Sequence, residues 1–245
     1  FPAGMAPQDV AAWFGDHPAQ TGLGALLEVD ALMALGRSDQ AKAKAVALWR
    51  KLALTDAQEA DFRATVERLR ADGATIVQID FSPFYAVAAM LYEGAWLAER
   101  VAAVGARLTE KPETLHPVTR AILEPGLRLT AVDAFRGFYR LQDLRAVCLR
   151  AMAGVEVLCV PTIPDFVTLD EIAADPVGPN ARLGTYTNFV NLLDLCGIAV
   201  PTGNRPDGRP GSVTVLARAG RDGLAASVGA GIEAGRMGAT GWTRP

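Results

Sequence analysis

Apolar positions recur along this chain at two spacings, and the alternation between them predicts helices and strands in turn. Leu26, Leu27, Val29, Leu32, Met33 and Leu35 fall at helical spacing up to Gly36, and a second helical stretch runs from Lys42 to Leu52. Thr55-Asp56-Ala57-Gln58 has the spacing of a capping box, and Phe62, Val66 and Leu69 follow on one face. A helix is therefore predicted from Thr55 to a stop at Gly73. Ala74 to Asp80 then reads as a short strand ended by Pro83. Phe84 to Val104 carries apolar residues at helical spacing, interrupted by Gly94. A glycine inside a helix costs roughly 1 kcal/mol relative to alanine, so Gly94 is expected to mark a bend or close packing.

Val132, Phe135, Phe138, Tyr139, Leu141, Leu144 and Val147 predict a long amphipathic helix from Thr130 to Met152, ending before Gly154. Val155 to Thr162 is almost continuously apolar and stops at a proline, the pattern of a central strand covered on both faces. Gly197 to Pro201 and Ser212 to Ala217 read as partner strands of a hairpin joined by the Pro/Gly/Asp-rich turn Gly203 to Gly211. The tail from Gly220 is Gly/Ala-rich and is assigned no element. Helices alternating with strands place the chain in the α/β class.

Composition narrows the function classes without choosing among them. Half of the 245 residues are apolar, 21% are charged, and the formal net charge is −3. That balance suits one large domain or two small ones with a sizeable core. No compact basic run offers a phosphate-tracking surface, so nucleic acid is not an expected partner. The apolar stretches are too short, or too broken by charge, to cross a bilayer, so no membrane role is expected. Phe1 to Pro7 lacks the cationic start and apolar core of a secretory signal. Cys148, Cys159 and Cys196 sit in apolar surroundings without metal-ligand spacing, as reduced thiols of a cytoplasmic protein would.

The densest group of polar and aromatic residues is Arg182-Leu183-Gly184-Thr185-Tyr186-Thr187-Asn188-Phe189-Val190-Asn191-Leu192-Leu193-Asp194-Leu195. This run resembles the signature of allophanate hydrolases, a branch of the amidase-signature family. Leu91-Tyr92-Glu93-Gly94-Ala95-Trp96-Leu97-Ala98-Glu99-Arg100 and His116-Pro117-Val118-Thr119-Arg120 are similar to further blocks of that family. So are Trp13-Phe14-Gly15-Asp16 near the start and Met237 to Trp242 near the end. The resemblance runs from about Thr55 to Trp242. Residues 1–54 are largely unmatched and read as an N-terminal segment, an insertion or a join, while residues 55–245 read as the C-terminal part of an amidase domain. Pro210-Gly211-Ser212 departs from the family's Pro-Phe-Gly.

The resemblance implies a mixed β-sheet layered by helices, incomplete in this chain. It also implies hydrolysis of allophanate to ammonia and carbon dioxide, the step after a biotin-dependent urea carboxylase. The family works through a Ser-cis-Ser-Lys constellation; no metal-ligand cluster can be built from His17 and His116, so a metal-independent activity without a cofactor is expected. Here the serines are Ser38, Ser82, Ser212 and Ser227, the lysines are Lys42, Lys44, Lys51 and Lys111, and none lies in a Gly/Ser-rich oxyanion loop. No catalytic residue is therefore assigned. Another amidase of the family, such as a biuret hydrolase, and a non-catalytic remnant or binding subunit stand as alternatives. Exposed apolar surface on an incomplete layer is expected to favour self-association.

Arg182 is the first candidate for substrate contact. Allophanate is a small carboxylate, and a guanidinium fork can hold a planar carboxylate through two charge-assisted hydrogen bonds. The competing reading is a clasp on a backbone carbonyl. Tyr186 can donate its hydroxyl to the same substrate or anchor a loop. Asn188 and Asn191 read as partners for loop and helix-end backbone groups. Tyr92, Trp96 and Arg100 share a helical face, as a core stripe or a pocket wall. His17 and His116 each precede proline and read as turn or capping residues rather than general bases. Asp207-Gly208 lacks the ending of a phosphate loop.

Overall fold

The computed structural model describes residues 54–92 and 94–240, with side chains described as far as residue 235. The helices expected between Leu26 and Leu52, and the N-terminal segment 1–54 except its last residue, lie outside the described residues, as does Glu93. The first described helix, α1 (Asp56–Ala71), starts where the capping pattern places it. Thr55 accepts a hydrogen bond from the Gln58 N–H. Its buried face carries Gln58 and Thr65 as well as the predicted Phe62 and Leu69.

Ala74 to Asp80 departs from expectation. It is extended, but among the described residues no strand pairs with it, and residues 74–78 are exposed. β-Branched residues favour the conformation, but only a neighbouring ladder makes a strand. Its end is fixed locally: Asp80 accepts from the Ser82 N–H at 2.9 Å, and Pro83 lies in the first turn of α2 (Ser82–Met90). The single helix predicted over Phe84 to Val104 is two helices. Gly94, at φ 52°, takes a left-handed conformation that starts α3 (Gly94–Val104) in a new direction.

A compact helical corner follows, formed by α4 (Arg107–Glu110), α5 (Pro117–Leu123) and a 3₁₀ turn over Glu124–Arg128. Leu97, Leu108 and Leu123 fill it. His116 caps α5, its Nδ1 accepting from the Val118 N–H at 3.3 Å, which fits the capping role. The long helix α6 (Ala131–Ala151) opens on a full capping box between Thr130 and Asp133 and ends where Gly154 turns at φ 77°.

β1 (Leu158–Pro161), β2 (Leu195–Asn204) and β3 (Pro210–Arg218) form an antiparallel sheet in the order β1-β3-β2. The hairpin is where the turn chemistry predicts it. β1 is an edge strand of these three, not the expected central one, because β3 occupies the centre and pairs Leu158 with Leu216 and Cys159 with Val215. Its apolar run still has a cause: helices cover both faces. Leu158, Val160 and Leu216 pack with Phe84, Val87, Leu141, Cys148 and Phe189 on one side. Val200, Val213, Val215 and Ala217 pack on the other with Phe62 and Leu69 of α1 and with Ala225 and Ile232 of α9 (Asp222–Thr240). α9 occupies the Gly/Ala-rich tail to which periodicity assigned nothing. Its small residues have a packing reason, since a Cβ on Gly229 would come 2.9 Å from Val200. The helix-layered sheet expected from the resemblance is the architecture observed.

Candidate functional site

The segment between β1 and β2 carries the candidate residues. It leaves the sheet at Pro161 and passes through α7 (Leu169–Ala174) and α8 (Gly178–Leu183) before turning back to Leu195. Neither short helix is predicted by periodicity, although Thr168 and Glu171 form a capping box whose Thr-x-x-Glu spacing is visible in the sequence. Asp175 accepts from the N–H groups of Val177 and Gly178, both at 3.0 Å, which fixes the start of α8 and holds its carboxyl below the usual range.

Arg182 lies in the last turn of α8. One guanidinium nitrogen is 3.7 Å from an Asp165 carboxylate oxygen, and the Arg182 side chain keeps 31% exposure. Its backbone carbonyl is clasped, accepting from the Thr185 N–H at 3.1 Å and the Thr185 hydroxyl at 2.6 Å. Arg182 is thus not itself the clasp: Thr185 ties the backbone and leaves the guanidinium with a single long ion pair among the described residues.

Tyr186 turns the other way, into an aromatic cluster. Its ring centroid is 6.3 Å from those of Phe81 and Tyr85, and Phe81 in turn stacks on Phe84 at 4.8 Å. Burial pushes the Tyr186 phenol up. The nearby Tyr85 hydroxyl opposes that shift, and the Glu59 carboxylate adds to it. Tyr85 is raised further, by burial first and then by Tyr186. Both phenols stay protonated at neutral pH.

Asn188 folds back over Gly184, where a Cβ would overlap its amide, and its N–H donates to the Gly184 carbonyl at 2.8 Å. The Asn191 carbonyl accepts from the Asp194 N–H at 3.1 Å in the turn that leads into β2, and Asp194 has a left-handed φ of 55°. The Tyr92, Trp96 and Arg100 stripe divides. Trp96, half-buried, packs on the exposed Phe138 with ring centroids 5.7 Å apart, while the Arg100 guanidinium lies 5.1 Å above the ring of Tyr92, which is 42% exposed. Among the described residues no group of His, Cys, Asp and Glu could hold a metal ion.

A buried arginine and its partners escaped the sequence reading. Arg205, with 1% side-chain exposure, donates to both carboxylate oxygens of Asp207 and to the Gln58 side chain. Its guanidinium lies 4.7 Å from the Phe166 ring centroid, and Arg209 sits at 5.3 Å from the same ring. Next to it, the Thr202 hydroxyl bonds both Asp61 oxygens at 2.8 and 2.7 Å. Together these contacts tie α1 to the β2–β3 turn and grip Phe166, the neighbour of the aspartate that pairs with Arg182. The only signal in the sequence is Arg205-Pro206-Asp207-Gly208-Arg209, which reads as a turn; nothing in it announces burial.

Comparison with known proteins adds ancestry to this geometry. The amidase family pattern matches residues 17–225. Urea amidolyase of Saccharomyces cerevisiae is 43% identical over 159 residues, which cover 64% of this chain and 9% of that protein. Allophanate hydrolase of Kluyveromyces lactis superposes with a TM-score of 0.67 at 35% identity, covering 71% of this chain and 29% of that one. The K. lactis urea amidolyase structure gives 0.64 at 37% identity, covering 67% of this chain and 10% of that one. The chain therefore spans less than a third of the length of each of these relatives. With the pattern matched over most of its residues and the helix-layered sheet in place, the chain belongs to the amidase family.

Proposed function

We propose that this chain is the substrate-binding part of an amidohydrolase that cleaves allophanate to ammonia and carbon dioxide. In this reading the nucleophile comes from sequence other than the four serines present here. Arg182 receives the substrate carboxylate, and Tyr186 donates its proton to a substrate oxygen. No cofactor takes part, and a biotin-dependent urea carboxylase supplies the substrate in the cytoplasm. The similarity to urea amidolyase supports the substrate class. The observation that carries the residue assignment is the Arg182 guanidinium, partly open to solvent, whose one ion pair among the described residues is an Asp165 oxygen at 3.7 Å, with the Glu171 carboxylate further off in its field. A planar carboxylate offering two short charge-assisted bonds would displace that contact.

The test is kinetic, in an enzyme that carries this segment together with a nucleophile. Losing a hydrogen bond to a charged group costs about 1.5–3 kcal/mol, so Arg182→Ala lowers kcat/KM for allophanate about ten- to a hundredfold. A neutral amide of similar size loses far less, and Arg182→Lys restores only part because the planar fork is gone. Equal losses on both substrates would return Arg182 to a structural role.

One observation favours a second reading within the same activity. Arg100 stacks on an exposed Tyr92, and among the described residues no carboxylate pairs with it. A stacked guanidinium is held flat with its donor edge open, ready for a carboxylate. Arg100→Ala belongs in the same pair of assays, and the arginine whose loss is selective for the anionic substrate is the carboxylate receptor.

A further inference from the structure

Asp165 divides its carboxylate between two tasks. Its Oδ1 accepts from the Phe166 N–H at 2.7 Å, while its Oδ2 faces the Arg182 guanidinium at 3.7 Å. The first contact is a hydrogen bond and the second is not, since an N···O separation well beyond about 3.2 Å keeps the charge attraction and loses the bond. With one oxygen spent on the backbone, Asp165 has no second oxygen to close the two-pronged fork in which a guanidinium holds a carboxylate. The other carboxylate in the field of Arg182, Glu171, is committed to its helix cap, where Oε2 accepts from the Thr168 N–H at 2.8 Å and from the Thr168 hydroxyl at 2.9 Å. Arg182 is thus neutralised without being bonded.

What keeps Asp165 from advancing is its neighbour. The Phe166 ring lies 4.7 Å from the Arg205 guanidinium and 5.3 Å from that of Arg209. Arg205 is held in turn by Asp207 and Gln58 in a buried site. A ring stacked on two cations is anchored, and it fixes the backbone N–H that captures Oδ1. We propose that Asp165 is an internal stand-in for the substrate carboxylate: Phe166 holds it back, it cancels the charge of Arg182 in the empty site, and Arg182 leaves it for a planar carboxylate that makes two short bonds. This rests on Arg182 being the carboxylate receptor.

Such a stand-in sets specificity as well as affinity. A ligand must replace the attraction of Asp165 before it gains anything, so a spherical anion such as chloride, which offers no fork, gains little, and a neutral amide gains nothing. The two side chains of the pair keep 31% and 26% exposure, and an ion pair this open to solvent is worth about two- to fivefold in an equilibrium constant. That is the factor by which Asp165 weakens carboxylate binding.

Acetate, a planar monocarboxylate, is the probe. It is titrated into the 245-residue chain at constant ionic strength and followed by NMR at the Arg182 Nε–Hε group, whose signal Arg182→Lys identifies by removing it. Asp165→Asn keeps the shape and the acceptor for the Phe166 N–H, and it tightens acetate binding about two- to fivefold. Asp165→Ser repeats the measurement with a different neutral acceptor. Phe166→Leu removes the anchored ring, frees Asp165 to close on Arg182, and weakens acetate binding. A merely structural ion pair does not give opposite signs at two adjacent positions, and circular dichroism verifies that each variant is folded. In an enzyme that carries this segment together with a nucleophile, Asp165→Asn correspondingly lowers KM for allophanate more than for a neutral amide of similar size. Acetate affinity left unchanged or weakened by both Asp165 variants overturns the proposal, and so does a Phe166→Leu chain that binds acetate as well as wild type or better. Arg182→Ala judges the receptor reading separately. If that variant loses acetate binding while the Asp165 variants gain none, Arg182 stands as the receptor and only the stand-in falls; if it binds acetate as wild type does, both fall.

Discussion

The buried Arg205 cluster makes a quantitative test of how α1 is tied to the hairpin. In Gln58→Met the chain keeps nearly the same volume at a position with 2% exposure but loses the oxygen that accepts from Arg205. A hydrogen bond to a charged group contributes about 1.5–3 kcal/mol, so this substitution costs about 2 kcal/mol. Arg205→Met has two costs: it strands the Gln58 amide, at about 1–3 kcal/mol, and it ends the stacking on Phe166, at about 1 kcal/mol. The total is about 3 kcal/mol. The double variant strands no amide, because two thioethers meet where an amide met a guanidinium, and its cost falls to roughly the lost stacking, about 1–2 kcal/mol, the Asp207 contacts being lost equally in both Arg205 variants and cancelling from the cycle. The coupling in this cycle is therefore about 3 kcal/mol, at the upper end of measured pairwise values. Urea unfolding of the four proteins gives it directly. For a domain of this size each 1 kcal/mol moves Tm by about 2–4 °C, so the Gln58→Met melt falls by about 4–8 °C and the double variant melts no lower than either single variant. Additive costs would refute the reasoning, showing that Arg205 and Gln58 are stabilised separately.

Three further outcomes follow from packing and charge. In Gly137→Ala the new Cβ stands 2.8 Å from the Ala95 Cβ and 3.3 Å from the Ala95 backbone nitrogen, which pushes α6 away from α3; overpacking of this kind costs about 1–3 kcal/mol, and a Tm at or above wild type would show that the interface yields. The carboxyls of Asp80, Asp133, Glu171 and Asp175 are all lowered by hydrogen bonds to local donors. A depressed folded-state value means stability fully present above the unfolded value near ~4 and lost as pH falls through the folded one. Melting points are thus flat above that pH and drop below it, less steeply in Asp133→Asn than in wild type. Finally, Tyr85→Phe removes the hydroxyl that opposes the upward shift of the Tyr186 phenol, so carbon-13 NMR of labelled tyrosine shows Tyr186 ionising at still higher pH; a downward move would contradict that influence of Tyr85.

Legibility from sequence followed the range of the interaction responsible. Caps are local, so the starts at Asp56 and Ala131 and the stop at Gly154 are where Thr55, Thr130 and the glycine put them. The hairpin is local too, and its turn residues announced it. Strand identity is not local: Ala74 to Asp80 has strand composition without a paired neighbour, and the apolar run of β1 reflects cover on both faces, which an edge position also provides. α9 was hidden because the glycines that let it approach β2 also weaken its periodicity. At the candidate site the polar run around Arg182 and Tyr186 was conspicuous, but the partners that define their chemistry, Asp165 and Tyr85, lie outside it. The Arg100 stack on Tyr92 was hidden by reading through Gly94 as one helix.

The strand order has a consequence for how the site comes into being. β2 and β3 meet through a tight turn whose closing bond joins the Arg205 N–H to the Arg209 carbonyl, so that pair can zip from its own loop. β1 joins β3 only across a long excursion, with Thr162 and Thr214 bonded 52 residues apart. Closing such a loop costs chain entropy before any contact repays it. Arg182, Tyr186 and Asp165 all lie inside that excursion. The hairpin therefore forms as an early template, the substrate-facing segment is fixed last, when β1 docks, and amide exchange in residues 163–194 should report openings that the β2–β3 ladder does not share.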